Sequence, residues 1–424
     1  MVNKCYKKLS DVCSLIADCV NKTAPKVDFV TPYKMLRTTN IKNGYIDFEN
    51  VSYVTKEIFE KWTRRCLPQY GDIILTREAP VGEIGRFNID SDNYFLGQRL
   101  FLYRANPEFL DWNYLAYALL SPEMKGILSG ISNGSTVAHI KVPDAEHLKI
   151  PYFPIKFQRK IGKFLSNYDD LIENNNRRIK ILEEMAQKIY KEWFVDFKFP
   201  GHETTTFKDS PLGKIPNDWE VKKVVELSTL SKGKSYKSSE LVDKKDGLPF
   251  LNLKCVERDG GFKREGLKWF CGKYNDNHVV LPEDIIMAVT DMTQERKLVA
   301  RPARIPHNWY KKYIMSMDLV KLVANNDINK TYLYSLLKYS NFSDEVKNHA
   351  NGVNVLHLNP QNIEQFELVV ASEPLRNNFG EFAKRIFNQI DVLYLKNENL
   401  KQTRDILLPR LISGEINVEN MEVL

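Results

Sequence analysis

The residues in this chain best suited to catalysis are Asp284 followed by Glu295-Arg296-Lys297. An acidic residue ahead of Glu-x-Lys is a pattern that holds a divalent metal for phosphodiester cleavage, with the lysine placing the attacking water. The first half of the chain does not repeat it: Asp72 is followed only by Glu83-Ile84-Gly85-Arg86, with no lysine in place. Both aspartates stand directly before apolar runs, Ile73-Ile74-Leu75 and Ile285-Ile286-Met287, and read better as turn residues ahead of strands. Gly233-Lys234-Ser235 has the ending of a phosphate-binding loop, yet Ser228 occupies the place of its leading glycine. The chain contains no G-x-G-x-x-G and no Asn/Asp-Pro-Pro-aromatic tetrapeptide with which an amino-methyltransferase grips its base. The six cysteines (Cys5, Cys13, Cys19, Cys66, Cys255, Cys271) form no C-x-x-C pair and have no histidine at zinc-ligand spacing. They read as reduced, mostly buried thiols. The residues therefore predict neither a catalytic group nor a metal site, and the alternative to be weighed is an autonomous metal-dependent nuclease.

Binding chemistry is more plentiful. In the first half Arg37, Thr38, Asn40, Lys42, Arg77, Arg99, Ser135 and Thr136 lie in polar segments, and in the second half Lys232, Lys234, Tyr236, Lys254, Arg264, Lys268, Arg296 and Lys297 do. Arg and Lys neutralise phosphates or bond guanine edges, and Asn bonds adenine, so loops of this kind suit DNA readout. A net charge of +7 on 424 residues permits a polyanionic partner without requiring one.

These residues must be positioned by a chain that is written twice. Asn133-Gly134-Ser135-Thr136-Val137-Ala138-His139-Ile140 recurs as Asn351-Gly352-Val353-Asn354-Val355-Leu356-His357-Leu358, and Ile161-Gly162-Lys163-Phe164 as Phe379-Gly380-Glu381-Phe382. Gly71-Asp72-Ile73-Ile74 matches Glu283-Asp284-Ile285-Ile286, and Lys7-Lys8-Leu9 matches Lys222-Lys223-Val224. Four matches in the same order, at nearly the same separation, mark a duplicated domain and not a short-period solenoid. The paired His139 and His357 then point to a shared loop geometry.

Each half begins with strand-like runs between Gly- and Pro-rich turns, continues with short helical stretches near Leu115–Leu120 and Tyr332–Leu337, and ends in a long helix after Pro154 or Pro374. Along the first helix Ile161, Leu165, Tyr168, Ile172, Asn175, Ile179, Leu182, Ala186, Ile189 and Trp193 alternate in steps of three and four. In the second, Phe379, Ala383, Ile386, Ile390, Leu393, Asn397, Leu400, Arg404, Leu407 and Leu411 do the same. A sustained 3.5-residue period is the coiled-coil pattern, and a seam asparagine in each helix fixes register at some cost in stability. The fold class expected is α/β (α+β): two similar mixed domains separated by two long helices that pair with each other as a coiled coil, with an internal pseudo-two-fold repeat.

The expected boundaries are 1–154, first domain; 155–198, first helical region; 199–218, a polar linker; 219–373, second domain; 374–416, second helical region; and 417–424, a tail. With 43% hydrophobic and 27% charged residues, each domain is able to bury a core. No apolar run approaches the ~18 residues of a membrane span. Asp11 and Asp18 interrupt the stretch from Leu9 to Val20, so no signal peptide is read there, and a cytoplasmic protein is expected.

Over essentially its whole length the chain resembles the specificity subunit of type I restriction-modification systems. The resemblance rests on Thr76-Arg77-Glu78-Ala79-Pro80-Val81-Gly82, Gly97-Gln98-Arg99-Leu100, Gly134-Ser135-Thr136-Val137 and Glu192-Trp193-Phe194-Val195-Asp196-Phe197. It rests also on Ser210-Pro211-Leu212-Gly213-Lys214-Ile215-Pro216 with Trp219, and on Leu407-Leu408-Pro409-Arg410-Leu411-Ile412-Ser413-Gly414-Glu415-Ile416. The second half departs from the pattern, reading Gly352-Val353-Asn354 where the first has Gly-Ser-Thr. The resemblance implies two target recognition domains, each reading half of a split double-stranded DNA target, two helical regions that pair as an antiparallel coiled coil, and a chain without catalysis of its own. It implies as partners two modification subunits, which would hold S-adenosylmethionine, and motor-nuclease restriction subunits. The helices would then act as a ruler: a rod of about 58 Å leaves an unread spacer of about 5–8 base pairs. A heptad inserted after Glu183, matched by one after Asp405, is expected to add about 10 Å, or roughly 3 base pairs.

Overall fold

The computed structural model describes residues 5–132, 139–307 and 309–419. The chain divides into two compact units, Met1–Glu173 with Asn397–Leu424 and Asn174–Lys396, so the division falls inside both long helices. In the first unit β1 (Cys13–Asp18), β2 (Ile73–Thr76), β3 (Ile84–Arg86) and β4 (Leu100–Ala105) form an antiparallel sheet in the order β1-β4-β2-β3. In the second, β5 (Ser228–Lys232), β6 (Ile285–Ala288), β7 (Pro302–Arg304) and β8 (Leu319–Ala324) form one in the order β5-β8-β6-β7. The two sheets have the same topology. Each unit also has a mixed sheet with one parallel pair, Lys34–Leu36 beside Tyr94–Leu96 and Leu248–Leu251 beside Tyr313–Met315. The short helices are α1 (Trp112–Leu120) and α3 (Lys330–Tyr339), and the long ones are α2 (Ile155–Phe194) and α4 (Glu373–Ile412), 40 residues each.

Asp72 and Asp284 do the work of turn residues. Each accepts a backbone N–H three residues back, from Gln69 at 2.8 Å and Leu281 at 2.9 Å, and each carries an internal ion pair, with Arg104 and Lys330. Strands β2 and β6 are buried at every position, as unbroken apolar runs require. The short helices start on side-chain caps: Asp111 accepts from Tyr114 N–H at 2.8 Å, and Asn329 from Thr331 and Tyr332 N–H.

The repeated helix glycines are sites of close approach. A Cβ on Gly162 would lie 2.6 Å from Asp111 Oδ1 and 2.8 Å from Tyr114 N, and one on Gly380 would lie 2.4 Å from the Asn329 amide. Each long helix thus presses a glycine against the capped end of its unit's short helix.

Within each unit α2 and α4 run antiparallel. In the first, Asp169 pairs with Arg404 while, further back along α2, Lys160 Nζ donates to the Val418 carbonyl at 3.2 Å. In the second, Phe379 lies against Tyr190, Trp193 and Phe194, and Ile179 shares the core with Leu393. Over residues 171–185 only Ile172, Asn175 and Ile179 are buried, with Leu182 half-buried, the narrow strip of a coiled coil. In α4, Leu393 and Asn397 are buried and Leu400 and Leu407 half-buried. Towards the ends the strip widens, because the helices also cover the globular bodies. There Asp169, Tyr190 and Phe194 are buried while Tyr168 and Trp193 are only half-buried.

Three expectations need correction. The polar linker is built structure: Phe207–Ser210 and Gly213–Pro216 pair as a hairpin, and Phe199, Ile215 and Trp219 enter the second unit's core. The cysteines are not mostly buried, since Cys5 and Cys271 are exposed and only Cys19 and Cys255 are buried. Burial pushes the Cys13 and Cys255 thiols up to about 12, which makes both inert. Glu183 and Asp405 belong to different units, so matched heptads belong at the division itself, after Glu173 and after Lys396.

Candidate nucleic-acid interface

In each unit three loops are laced by the same two backbone hydrogen bonds. In the first unit Arg77 N–H donates to Arg99 O at 2.8 Å, and Ile140 N–H donates to Arg77 O at 3.2 Å. In the second, Val289 N–H donates to Asp318 O at 2.9 Å, and Leu358 N–H donates to Val289 O at 2.8 Å. The loop leaving the central strand is therefore fixed to the residue entering its neighbour and to the segment that holds the repeated histidine. A side-chain tie crosses the same place in each unit but differs in kind: Arg99 to Glu78 at 3.0 Å, and Thr290 hydroxyl to Asp318 at 3.2 Å.

The two central loops are folded by different devices. Thr76 hydroxyl donates to Pro80 O at 2.6 Å and accepts from Glu83 N–H at 2.9 Å, and Gly82 takes φ +83° to close the turn. In the second unit Asp291 gathers the N–H groups of Thr293, Leu298 and Val299. Burial alone would raise its pKa, but these bonds outweigh burial and hold the carboxyl below the ordinary range.

The predicted DNA-contacting residues separate into those presented to solvent and those that build the frame. Arg37, Lys42, Arg99, Lys232, Lys254 and Lys297 are exposed, while Thr38, Lys234, Lys268 and Arg296 are half-buried. Arg99 (φ +70°) and Arg296 (φ +54°) sit on left-handed backbone at loop tips. Lys297 pairs with Glu295. Lys234 is bridged through its backbone to Met315 and Met317, and Tyr236 packs its ring on Phe250 at 4.8 Å. Ser135 and Thr136 lie outside the described residues.

Three of the predicted residues have partners within the protein. Asn40 is 4% exposed; its oxygen accepts from Arg37 N–H and its amide donates to the Asp47 and Asn50 carbonyls, so it folds its own loop. Arg77 is held by Asp18 at 2.8 Å and donates to Ile140 O at 3.0 Å. Arg264, with a side chain 8% exposed, lies between the rings of Trp309 and Tyr394 at 3.9 and 4.5 Å and faces Asp391 at 3.7 Å.

Sequence reading missed the buried charges behind the loops. Arg86 on β3 pairs with Asp169 on α2 at 2.8 Å, and Arg304 on β7 pairs with Asp391 on α4 at 2.7 Å. Part of the signal was available: Arg86 and Arg304 stand at corresponding places in the two repeats, but Asp391 lies one helical turn beyond the counterpart of Asp169. Also missed was the pair Gln98 and Met317, which directly precede Arg99 and Asp318. Met317 is 55% exposed.

The Asp284, Glu295 and Lys297 triad is not assembled for metal chemistry. Asp284 is occupied by Lys330 and a turn N–H, and Glu295 by Lys297. Among the described residues no group of three or more His, Cys, Asp and Glu is placed to hold a metal. Gly233 lies against the Ser316 carbonyl, where a Cβ would come within 2.0 Å, so its glycine serves packing and not a phosphate.

A family model for the type I restriction modification DNA specificity domain matches residues 1–184 and again 216–404. The chain belongs to this family. Its role is that of a DNA-sequence specificity subunit. It is 25% identical over 377 residues to the type I restriction enzyme MjaIX specificity subunit of Methanocaldococcus jannaschii, covering 87% of this chain and 82% of that one. It is 24% identical over 409 residues to the HindI specificity subunit of Haemophilus influenzae, covering 82% and 86%. Its fold is similar to the crystal structure of a type I restriction-modification S subunit from M. genitalium, with TM-score 0.59, 16% identity, and 97% and 96% of the two chains covered. Among the described residues, no helix is long and apolar enough to cross a membrane.

Proposed function

We propose that this subunit reads a split double-stranded DNA target, one half with residues 1–154 and the other with residues 219–373. The observation that carries the reading is the identical lacing of three loops in both units, around which the exposed side chains differ. One frame used twice with different surfaces suits two half-sites of different sequence. In this reading the helical regions, 155–198 and 374–416, bear two modification subunits, with residues 199–218 as connector and 417–424 as tail. Those partners hold S-adenosylmethionine, motor-nuclease subunits join them for restriction, and the assembly works in the cytoplasm. This chain contributes recognition and no bond-making step. The two 40-residue helices set the distance between the half-sites.

The test is to exchange residues 1–150 for the matching segment of a relative and map methylation in a host that supplies the modification subunit. One half-site changes and the other persists if the reading holds; a joint change of both refutes it. The purified chain alone neither methylates nor cuts DNA. Metal-dependent cleavage by it, abolished by Glu295→Ala, is the result that restores the nuclease alternative.

A further inference from the structure

In each unit a single carboxylate on a long helix takes hold of the globular body at two separate points. In the first unit Asp169 Oδ2 accepts from Arg86 of the edge strand β3 at 2.8 Å, and its Oδ1 accepts from the hydroxyl of Tyr45 at 2.7 Å. Tyr45 lies in the hairpin Ile41–Lys42/Tyr45–Ile46, which follows the first strand of the mixed sheet. In the second unit Asp391 Oδ2 accepts from Arg304 of the edge strand β7 at 2.7 Å, and its Oδ1 faces Arg264 at 3.7 Å. Arg264 lies in the loop after the corresponding strand, Leu248–Leu251. The remaining coordination differs: Arg404 and Tyr117 complete Asp169, and the His307 N–H completes Asp391. The arginine recurs at the same place on the edge strand, and its aspartate recurs one helical turn further along the long helix in the second unit.

Neither carboxylate is more than 6% exposed as a side chain. Buried ion pairs add little net stability compared with apolar residues of the same size, but they are directional. Leu and Ile contacts between a helix and a domain tolerate small slides and rotations; a carboxylate hydrogen-bonded to Arg86 and Tyr45, or to Arg304 with Arg264 in ion-pair range, does not.

We propose that Asp169 and Asp391 are positioning residues that fix the register of each recognition domain on its helix, and with it the length of unread DNA the subunit accepts. The proposal rests on the split-target reading above and adds to it the residues that make the spacing strict.

The test uses the full chain assembled with its modification subunit, on a DNA library that fixes both half-sites and varies the spacer one base pair at a time. Wild type marks one spacer length. The double variant Arg304→Met/Asp391→Leu, which removes the pair and also takes from Arg264 the carboxylate it faces, keeps both half-site sequences. Its preference for that spacer over its neighbours is expected to fall about ten- to a hundredfold, the scale of an ångström-level misplacement in a positioned reaction. Arg86→Lys and Arg304→Lys keep the charge but lose the planar fork, and they are expected to show a smaller fall in the same direction. These two single variants carry the test if the double variant does not fold. An equal loss of methylation at every spacer means a merely structural role, and unaltered spacer preference means no role; either overturns the proposal. Absence of any sequence preference in the wild-type assembly is a different result, and it refutes the split-target reading itself.

Discussion

Replacing Gly162 by alanine asks whether the long helix is pressed against α1 or merely passes near it. In a free helix the change stabilises by about 0.8–1.0 kcal/mol, because alanine has less backbone freedom to lose. Here the new methyl would lie 2.6 Å from the Asp111 carboxylate, 2.8 Å from Tyr114 N and 3.0 Å from Asn113 Cβ. The Tyr114 nitrogen is backbone, so α1 itself must shift. Overpacking of this kind costs about 1–3 kcal/mol, and losing the Asp111 cap about 0.5–2 kcal/mol more. The net is a destabilisation of about 1–4 kcal/mol, which lowers Tm by roughly 2–4 °C for each kcal/mol in a body of this size. Gly380→Ala has the side chain of Asn329 as its nearest obstacle, at 2.4 Å, and that side chain can swing away at the cost of its cap; the two effects then nearly cancel, within about 1 kcal/mol. Gly126 lies in the helix Pro122–Ser132 with nothing within 4 Å of a built Cβ, so Gly126→Ala should stabilise by about 0.4–1 kcal/mol. Calorimetric melting of the three variants gives the ordering directly. Stabilisation by Gly162→Ala would refute the close-approach reading, whatever the other two do.

Heptads inserted after Glu173 and after Lys396 should lengthen the spacer of the methylated site by about 3 base pairs with both half-sites intact; an unchanged spacer sinks the ruler. Asp291 offers a pH test. Its pKa is depressed in the folded state, so its contribution is present above the unfolded value near 4 and is lost as pH falls through the folded one. Protection factors at Leu298 and Val299, corrected for intrinsic exchange at each pH, should therefore fall below about pH 4 in the native protein and be lower at neutral pH in Asp291→Ala, and equal protection in both would contradict this. Lys297→Ala should leave methylation chemistry in the assembled complex intact, with at most weaker binding and a salt slope reduced by about 1; loss of turnover at saturating DNA would show that the lysine does more than meet phosphate.

The duplication, the strand positions and the long helices were legible because they follow from apolar periodicity, which the chain states locally. Side-chain roles were legible only where a local rule applied. Asp72 and Asp284 stand before strands, as turn residues do, and there they cap turns. Polar type alone does not say that Asn40, Arg77 and Arg264 are engaged inside the protein. Their partners, the Asn50 carbonyl, Asp18 and Asp391, come from turns, strands or helices that only the fold brings near. The seam was readable to within one residue. At Tyr168, the neighbouring Asp169 takes the buried place, since an aspartate with two arginines and two tyrosine hydroxyls around it is more easily accommodated there than its type suggests. The hairpin within 207–216 is not legible in the sequence because its composition is polar, and its two buried positions, Ile215 and Pro216, are adjacent and give no periodicity.

What the two units share and where they differ falls along a chemical line. The lacing of the loops uses N–H and C=O groups that every residue but proline supplies, so sequence can drift at Arg77 and Val289, or at Arg99 and Asp318, without altering the frame. The anchors beneath use one fixed pair type, arginine on a sheet edge with aspartate on a helix, because a buried carboxylate left without its partner is costly. Beside these two shared devices lie positions where the units differ, half-buried Gln98 and exposed Arg99 in one and exposed Met317 and half-buried Asp318 in the other. A loop frame indifferent to side chains, set on an anchor that is strict about them, leaves the exposed positions free to change. That is the arrangement a protein needs if two copies of one fold are to prefer different DNA sequences while remaining the same machine part.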